Sequence, residues 1–193
     1  ATHLSLAMHH MSVLLPETVT MFPARVVSSF VTLEPKTANS TATVLVANMT
    51  ESMCECELSG TSGCKNLTIR SVVIIGSANF LRTQALLRVR GEGAGVVLHG
   101  VVVHTLRCAS TGCVARGTDG AAISLDHVII SDVHSLASGG ALAAYDSAVV
   151  VKGSVFYNVE ASFRGGAIAI ALQRNAVDEG TVPSSLLPSL LSL

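Results

Sequence analysis

Tryptophan is absent from this chain, and two tyrosines and five phenylalanines are the only such aromatic rings among 193 residues. A core anchored on large aromatics is therefore excluded, and a sugar-cleaving cleft lined with stacking platforms is disfavoured. Charge is equally thin: Asp, Glu, Lys and Arg make up 13% of the chain and leave a formal net charge of −1. Helical proteins of this size dress their solvent faces with Glu and Lys, so the composition argues against a helical fold. No Lys/Arg cluster is present to meet phosphate backbones or anionic lipid, and nucleic acid is set aside as a partner on that ground. Although 49% of residues are hydrophobic, no run reaches the roughly 18 to 20 uninterrupted apolar residues that a spanning helix needs. The stretch 94–106 is broken by His99 and His104, and 182–193 by Pro183 and Pro188, so no transmembrane segment is expected.

What the chain does have is a repeat. Gly139-Gly140-Ala141-Leu142 returns as Gly165-Gly166-Ala167-Ile168, and the step that carries Gly139 onto Gly165 also carries Ile129 onto Val155, Ile130 onto Phe156 and Val133 onto Val159 without a gap. A glycine pair before a small apolar strand marks a recurring turn that needs positive φ or close backbone approach. Upstream, short alternating pairs joined by two-residue corners recur as Leu67-x-Ile69 with Val72-x-Ile74, Val96-x-Leu98 with Val101-x-Val103, and Ile123-x-Leu125 with Val128-x-Ile130. The corners are Arg70-Ser71, His99-Gly100 and Asp126-His127, and the steps between these copies are close in length to the one downstream. Coils of roughly 20 to 30 residues with short strands predict an all-β fold, a right-handed parallel β-helix of about four to five irregular coils, whose repeats bury their apolar faces only by stacking. Inward ladders are expected along Ile74, Val103, Ile130 and Phe156, and along Ile69, Leu98, Leu125 and Val151. A second register competes, because Gly120-Ala121-Ala122-Ile123 resembles a degenerate copy of the glycine motif and would make one coil about 20 residues long.

The chain divides accordingly into an N-terminal cap or irregular segment over 1–42, coils over 43–172 with loops at 51–65 and 107–120, and a C-terminal tail or cap over 173–193. No basic leader opens the N-terminus, so a signal peptide is expected to have been removed or to lie outside this sequence. The five cysteines fall into two groups, Cys54, Cys56 and Cys64, then Cys108 and Cys113. Cys108 and Cys113 bracket a small Ser-Thr-Gly loop and are expected to bond, whereas the pairing within the first group is open. Three Asn-x-Ser/Thr sequons, at Asn39, Asn48 and Asn66, stand near the first group and are candidate glycosylation sites. Together they point to a secreted or cell-surface chain; buried thiols and unmodified asparagines are the alternative.

The stretches Gly139 to Leu142, Phe156 to Val159 and Gly165 to Ile168 resemble the repeat of the polymorphic outer membrane proteins, bacterial surface proteins that repeat Gly-Gly-Ala-Ile and Phe-x-x-Asn. Gly139, Gly140, Phe156, Gly165 and Gly166 carry the resemblance, which implies a right-handed β-helix of the pectin-lyase-like kind. Val159 stands where that family has Asn, and Asn158 comes one position early.

β-Helices also host sugar-cleaving enzymes, which need paired or metal-held carboxylates. Asp126, Asp132, Asp146 and Lys152 are the available groups, without the Asn-Thr-Asp or Gly-His-Gly signatures of polygalacturonases. His99 and His127 occupy neighbouring corners but lack a metal-ligand pattern, and Cys54-x-Cys56 with Cys64 lacks a fourth zinc ligand, so neither metal nor cofactor is expected. The expectation is a non-enzymatic surface or secreted scaffold, an adhesion or display module forming part of a larger protein. Its expected partners are glycans or surface proteins, with the 107–120 loop and its Arg107 and Arg116 as the contact. The alternative is a carbohydrate-active enzyme or sugar-binding module.

Overall fold

The computed structural model describes residues 11–20, 24–26, 30–46, 51–59 and 62–171. Across them the chain forms a parallel β-solenoid of about five turns, without a helix. Each turn visits three walls in the same order. The first wall stacks Met11–Leu15, Phe30–Pro35, Asn66–Arg70, Gly95–His99, Ala122–Asp126 and Ala148–Lys152. The second stacks Thr18–Thr20, Ala42–Leu45, Val72–Ile75, Val102–Cys108, Ile129–Ser135 and Val155–Ala161. The third stacks Ala24–Val26, Cys54–Ser59, Leu87–Arg90, Ala115–Thr118, Leu142–Tyr145 and Ile168–Ala171.

Both expected ladders are present. Ile74, Val103, Ile130 and Phe156 lie opposite one another on successive rungs of the second wall. Ile69, Leu98, Leu125 and Val151 do the same on the first. β-Branched and leucine side chains fill this interior because alternate residues of a strand share one face, and stacked strands place like positions about 4.8 Å apart. The core is apolar and nearly continuous from Leu15 to Leu142. On the last described rung it opens: Val151 is 40% and Ile170 63% exposed, whereas Leu125 and Ala144 beneath them are buried. The expected tail over 173–193 lies outside the described residues.

Four columns of positive-φ residues turn the chain. Ser71, Gly100, His127 and Gly153 join the first wall to the second, and Gly112, Gly139 and Gly165 lead into the third. Gly91, Asp119, Gly120 and Asp146 return it to the first, and Thr105, Asp132 and Asn158 bend the second wall at mid-strand. At Gly139 the requirement is double: φ is 65°, and an added Cβ would stand 2.2 Å from the Leu142 carbonyl oxygen. Gly112 shows that the glycine motif has a third copy. Cys113 N–H donates to the Gly140 carbonyl and Val114 N–H to that of Ala141, so Gly112-Cys113-Val114-Ala115 lies one coil beneath Gly139-Gly140-Ala141-Leu142. The competing register through Gly120 is thereby excluded, since Ile123 belongs to the first wall opposite Val96.

Three sequence-based boundaries need correction. Coils begin by Met11, within the segment 1–42 expected to be irregular; Met11 pairs with Val31, Thr18 with Thr43 and Ala24 with Cys54. These three steps are all of different length and share no period, which hides them in the sequence; residues 1–10 lie outside the described set. The expected loop 51–65 contains the strand Cys54–Ser59, with Cys54 and Cys56 inward and Glu55 and Glu57 outward, followed by a short hairpin at Ser62–Gly63. The expected loop 107–120 is likewise partly wall: Arg107 and Cys108 end one strand, Ala115–Thr118 forms another, and the fully buried Val114 and Ala115 hold it in the core.

One cation interrupts the apolar interior. Arg82 is 2% exposed, its Nη2 donates to the Glu51 carbonyl at 2.5 Å, and its Nε and Nη1 have no partner. Desolvation pushes its pKa down to about 10. A buried charge with unmet donors costs stability, so Arg82→Met is expected to leave the thermal midpoint unchanged or raise it, and a drop of several degrees would contradict that reading. In contrast Ile130 is 0% exposed between Val103 and Phe156. Ile130→Asp would bury an unpaired carboxylate and should cost about 3 kcal/mol or more, read as a large loss in a thermal melt.

Candidate interaction face

The mid-strand bend of the second wall generates the site. In an unbroken strand inward and outward residues alternate, so polar columns are separated by apolar ones. Here each of the last three rungs inserts one positive-φ residue, which resets the alternation as a bulge does. Val103 is buried, His104 and Thr105 are half-buried, Leu106 is buried and Arg107 is exposed. The same insertion at Asp132 and Asn158 places further outward residues beside these.

The product is a three-by-three array of hydrogen-bonding side chains. His104, Ser131 and Tyr157 form one column, and Arg107, His134 and Glu160 another, each in register. Thr105, Asp132 and Asn158 form the column between, with φ of 59°, 56° and 50°. Every column carries a bond between rungs: His104 Nδ1 and Ser131 Oγ are 2.5 Å apart, Asn158 Nδ2 donates to Asp132 Oδ1 at 2.8 Å, and His134 Nδ1 lies 3.3 Å from Glu160 Oε2. Ser131 is only 7% exposed, because His104 and Tyr157 flank it. Tyr157 is 69% exposed. Asp and Asn adopt positive φ readily, but for the β-branched Thr105 the same conformation costs about 1–3 kcal/mol.

The residues singled out from sequence are distributed over several places. Arg107 belongs to the array, whereas Arg116 projects from the third wall, its guanidinium 5.3 Å from the Tyr145 ring centroid. They do not share a loop. Asp126 stands at the first corner, opposite Lys152, and accepts from His99 Nδ1 at 2.8 Å and His127 Nδ1 at 2.7 Å. The hydrogen bond from His99, reinforced by that from His127 against a partial desolvation, holds its carboxyl below the usual carboxylate range. Asp132 is paired with Asn158 in the array, and Asp146 sits at the corner between third and first walls. The four groups considered for sugar cleavage thus occupy three separate sites. Among the described residues no group of three or more His, Cys, Asp or Glu is placed to hold a metal ion.

Cys108 is bonded to Cys113 across a Cα separation of 5.6 Å, closing the corner next to Arg107, and Cys56 is bonded to Cys64 across 5.1 Å. Cys54 is left free and buried, with its thiol pushed up to about 12 by desolvation. Asn39 is exposed at φ 62° in a turn, and Asn66 sits within the first wall with Nδ2 donating to Thr68 Oγ1 at 3.4 Å. Asn48 lies outside the described residues. Gly139, Gly140, Gly165 and Gly166 serve the turns, and Phe156 is the inward neighbour of Tyr157 on the last rung.

These features define a parallel β-solenoid whose second wall carries a continuous polar array. No protein family, no curated protein and no solved structure matches the chain, so the likeness to the polymorphic outer membrane proteins rests on its motifs alone. The thiol inventory gives a direct check on this geometry. Alkylation of the native, non-reduced protein should label no cysteine, and labelling after denaturation without reductant should mark Cys54 only; labelled Cys108 and Cys113 would reject the corner bridge.

Proposed function

We propose that this protein is a non-enzymatic scaffold, a secreted or cell-surface β-solenoid whose stiff second wall displays a binding face for adhesion. The single observation that carries the reading is the array itself: nine hydrogen-bonding side chains on three in-register rungs, fixed by ladder pairing. Stiffness supports it, since a stacked wall presents its side chains without the ordering cost a mobile loop would incur. The two disulfides support an oxidising compartment, and Asn39 is an exposed glycosylation candidate. The Gly-Gly-Ala-aliphatic motif and Phe156 link the chain, by likeness, to the repeats of polymorphic outer membrane proteins and to a role within a larger surface protein.

The competing reading is a pectin-lyase-like carbohydrate-active enzyme. Separation of Asp126, Asp132 and Asp146 weighs against it, because acid and base must flank one glycosidic bond. Incubating the protein with neutral and acidic polysaccharides, and following new reducing ends and unsaturated products, tests the reading. No turnover above buffer is expected; cleavage of any polymer that Asp126→Asn or Asp132→Asn abolishes would replace the scaffold by the enzyme.

A further inference from the structure

Resting on the scaffold reading, we propose that the face around Tyr157, Asp132, Asn158 and Arg107 binds a neutral, linear oligosaccharide laid along the solenoid axis. Four observations converge on that ligand class. Tyr157 projects outward with most of its ring exposed and its hydroxyl without a partner among the described residues, and the only other tyrosine, Tyr145, already lies against Arg116. A flat phenol ring beside a polar pair is what the apolar face of a pyranose packs on, its hydroxyls turned to the neighbouring groups.

Those groups are held ready. The 2.8 Å bond from Asn158 Nδ2 to Asp132 Oδ1 orients both planar side chains, leaving Asn158 Oδ1 and Asp132 Oδ2 as acceptors for sugar hydroxyls. Arg107, exposed and without a polar partner among the described residues, contributes donors on the far side of the same bend. A sugar hydroxyl both donates and accepts, so it can bridge the two sets.

Charge decides between sugars. The array holds one arginine, Arg107, and two carboxylates, Asp132 and Glu160, with His134 bonded to the second. The near-cancelled, slightly acidic balance offers a sulfated or uronate chain no attraction. It suits a ligand rich in hydroxyls and free of charge. A protein partner is disfavoured as well, since stable protein contacts centre on several buried apolar or aromatic anchors, and this array supplies one.

Spacing supplies the orientation. Rungs repeat at about 4.8 Å, close to the advance of one hexose along an extended chain, so successive sugars running parallel to the axis meet equivalent positions on successive rungs. Across the axis the bend at Asn158 makes the steps from Tyr157 to Asn158 to Glu160 uneven, and no such spacing repeats.

The test uses the whole chain in titration calorimetry against neutral oligosaccharides of glucose, mannose, galactose and N-acetylglucosamine, with heparin and polygalacturonate as charged comparators. At least one neutral oligosaccharide is expected to bind with little dependence on salt. Tyr157→Ala should weaken that binding about tenfold or more at an unchanged melting temperature, and Arg88→Ala on the third wall should leave it as it was. Absence of neutral-sugar binding overturns the proposal. So does binding confined to the charged polymers and removed by salt, or neutral-sugar binding that Tyr157→Ala leaves intact. Cleavage of a bound sugar would sink the scaffold reading separately, while the Tyr157 variant would still decide the site.

Discussion

Register between stacked rungs is the constraint on which the rest of this molecule depends. Parallel neighbours are joined by slanted backbone hydrogen bonds, and the side-chain period is two, so a slip of one residue would turn every inward residue out. Val103 faces Ile74 and Ile130, and Leu98 faces Ile69 and Leu125, only in the observed register. The corners enforce it. Ser71, Gly100, His127 and Gly153 repeat one left-handed conformation in one column, and the amides of the first three reach the next rung: Ser71 N–H donates to the His99 carbonyl, Gly100 N–H to that of Asp126 and His127 N–H to that of Lys152.

The same constraint makes the second wall a site. Once rungs are locked, an extra residue at the same place in three coils sets His104, Thr105 and Arg107 beside Ser131, Asp132 and His134, then beside Tyr157, Asn158 and Glu160. Thr105 carries backbone strain at this bend, where Asp132 and Asn158 carry far less, which is consistent with a bend kept for what it displays rather than for packing. Thin charge and scarce aromatics elsewhere follow from a core built on small and β-branched ladders. Arg82, bonded to the Glu51 carbonyl, is the exception within that core.

Where the repeat is regular, the sequence announces the fold. All three walls take the same pair of steps over their last rungs, Gly95 to Ala122 to Ala148 on the first, Val102 to Ile129 to Val155 on the second and Ala115 to Leu142 to Ile168 on the third. Apolar pairs such as Ile130 and Phe156 therefore align without gaps. Coils before Asn66 are illegible because each wall takes its own step, and later one wall still changes step: Leu81 reaches Arg107 in fewer residues than Val73 needs to reach Val102, an insertion at 76–80 absorbing the difference. Cys54-Glu55-Cys56-Glu57 is an alternating strand whose inward members are cysteines, and acidic and cysteine-rich character read as a loop. The array was hidden for a related reason: a bend breaks the period on which strand patterns rest. Asp132 and Asn158, one repeat apart and both tolerant of positive φ, were the available signal. Asn158 stands one place before the position expected from the resembled repeat because it occupies this bend, and Val159 is the inward residue after it.

Scalar couplings across hydrogen bonds, measured by NMR on the labelled protein, test the register most directly. Couplings are predicted from the amides of Gly100, Val114 and His127 to the carbonyls of Asp126, Ala141 and Lys152, the pairing that also sets His104 against Ser131. Couplings displaced by one residue along the partner rung would contradict it, since they would turn Ile130 outward and dissolve the polar wall.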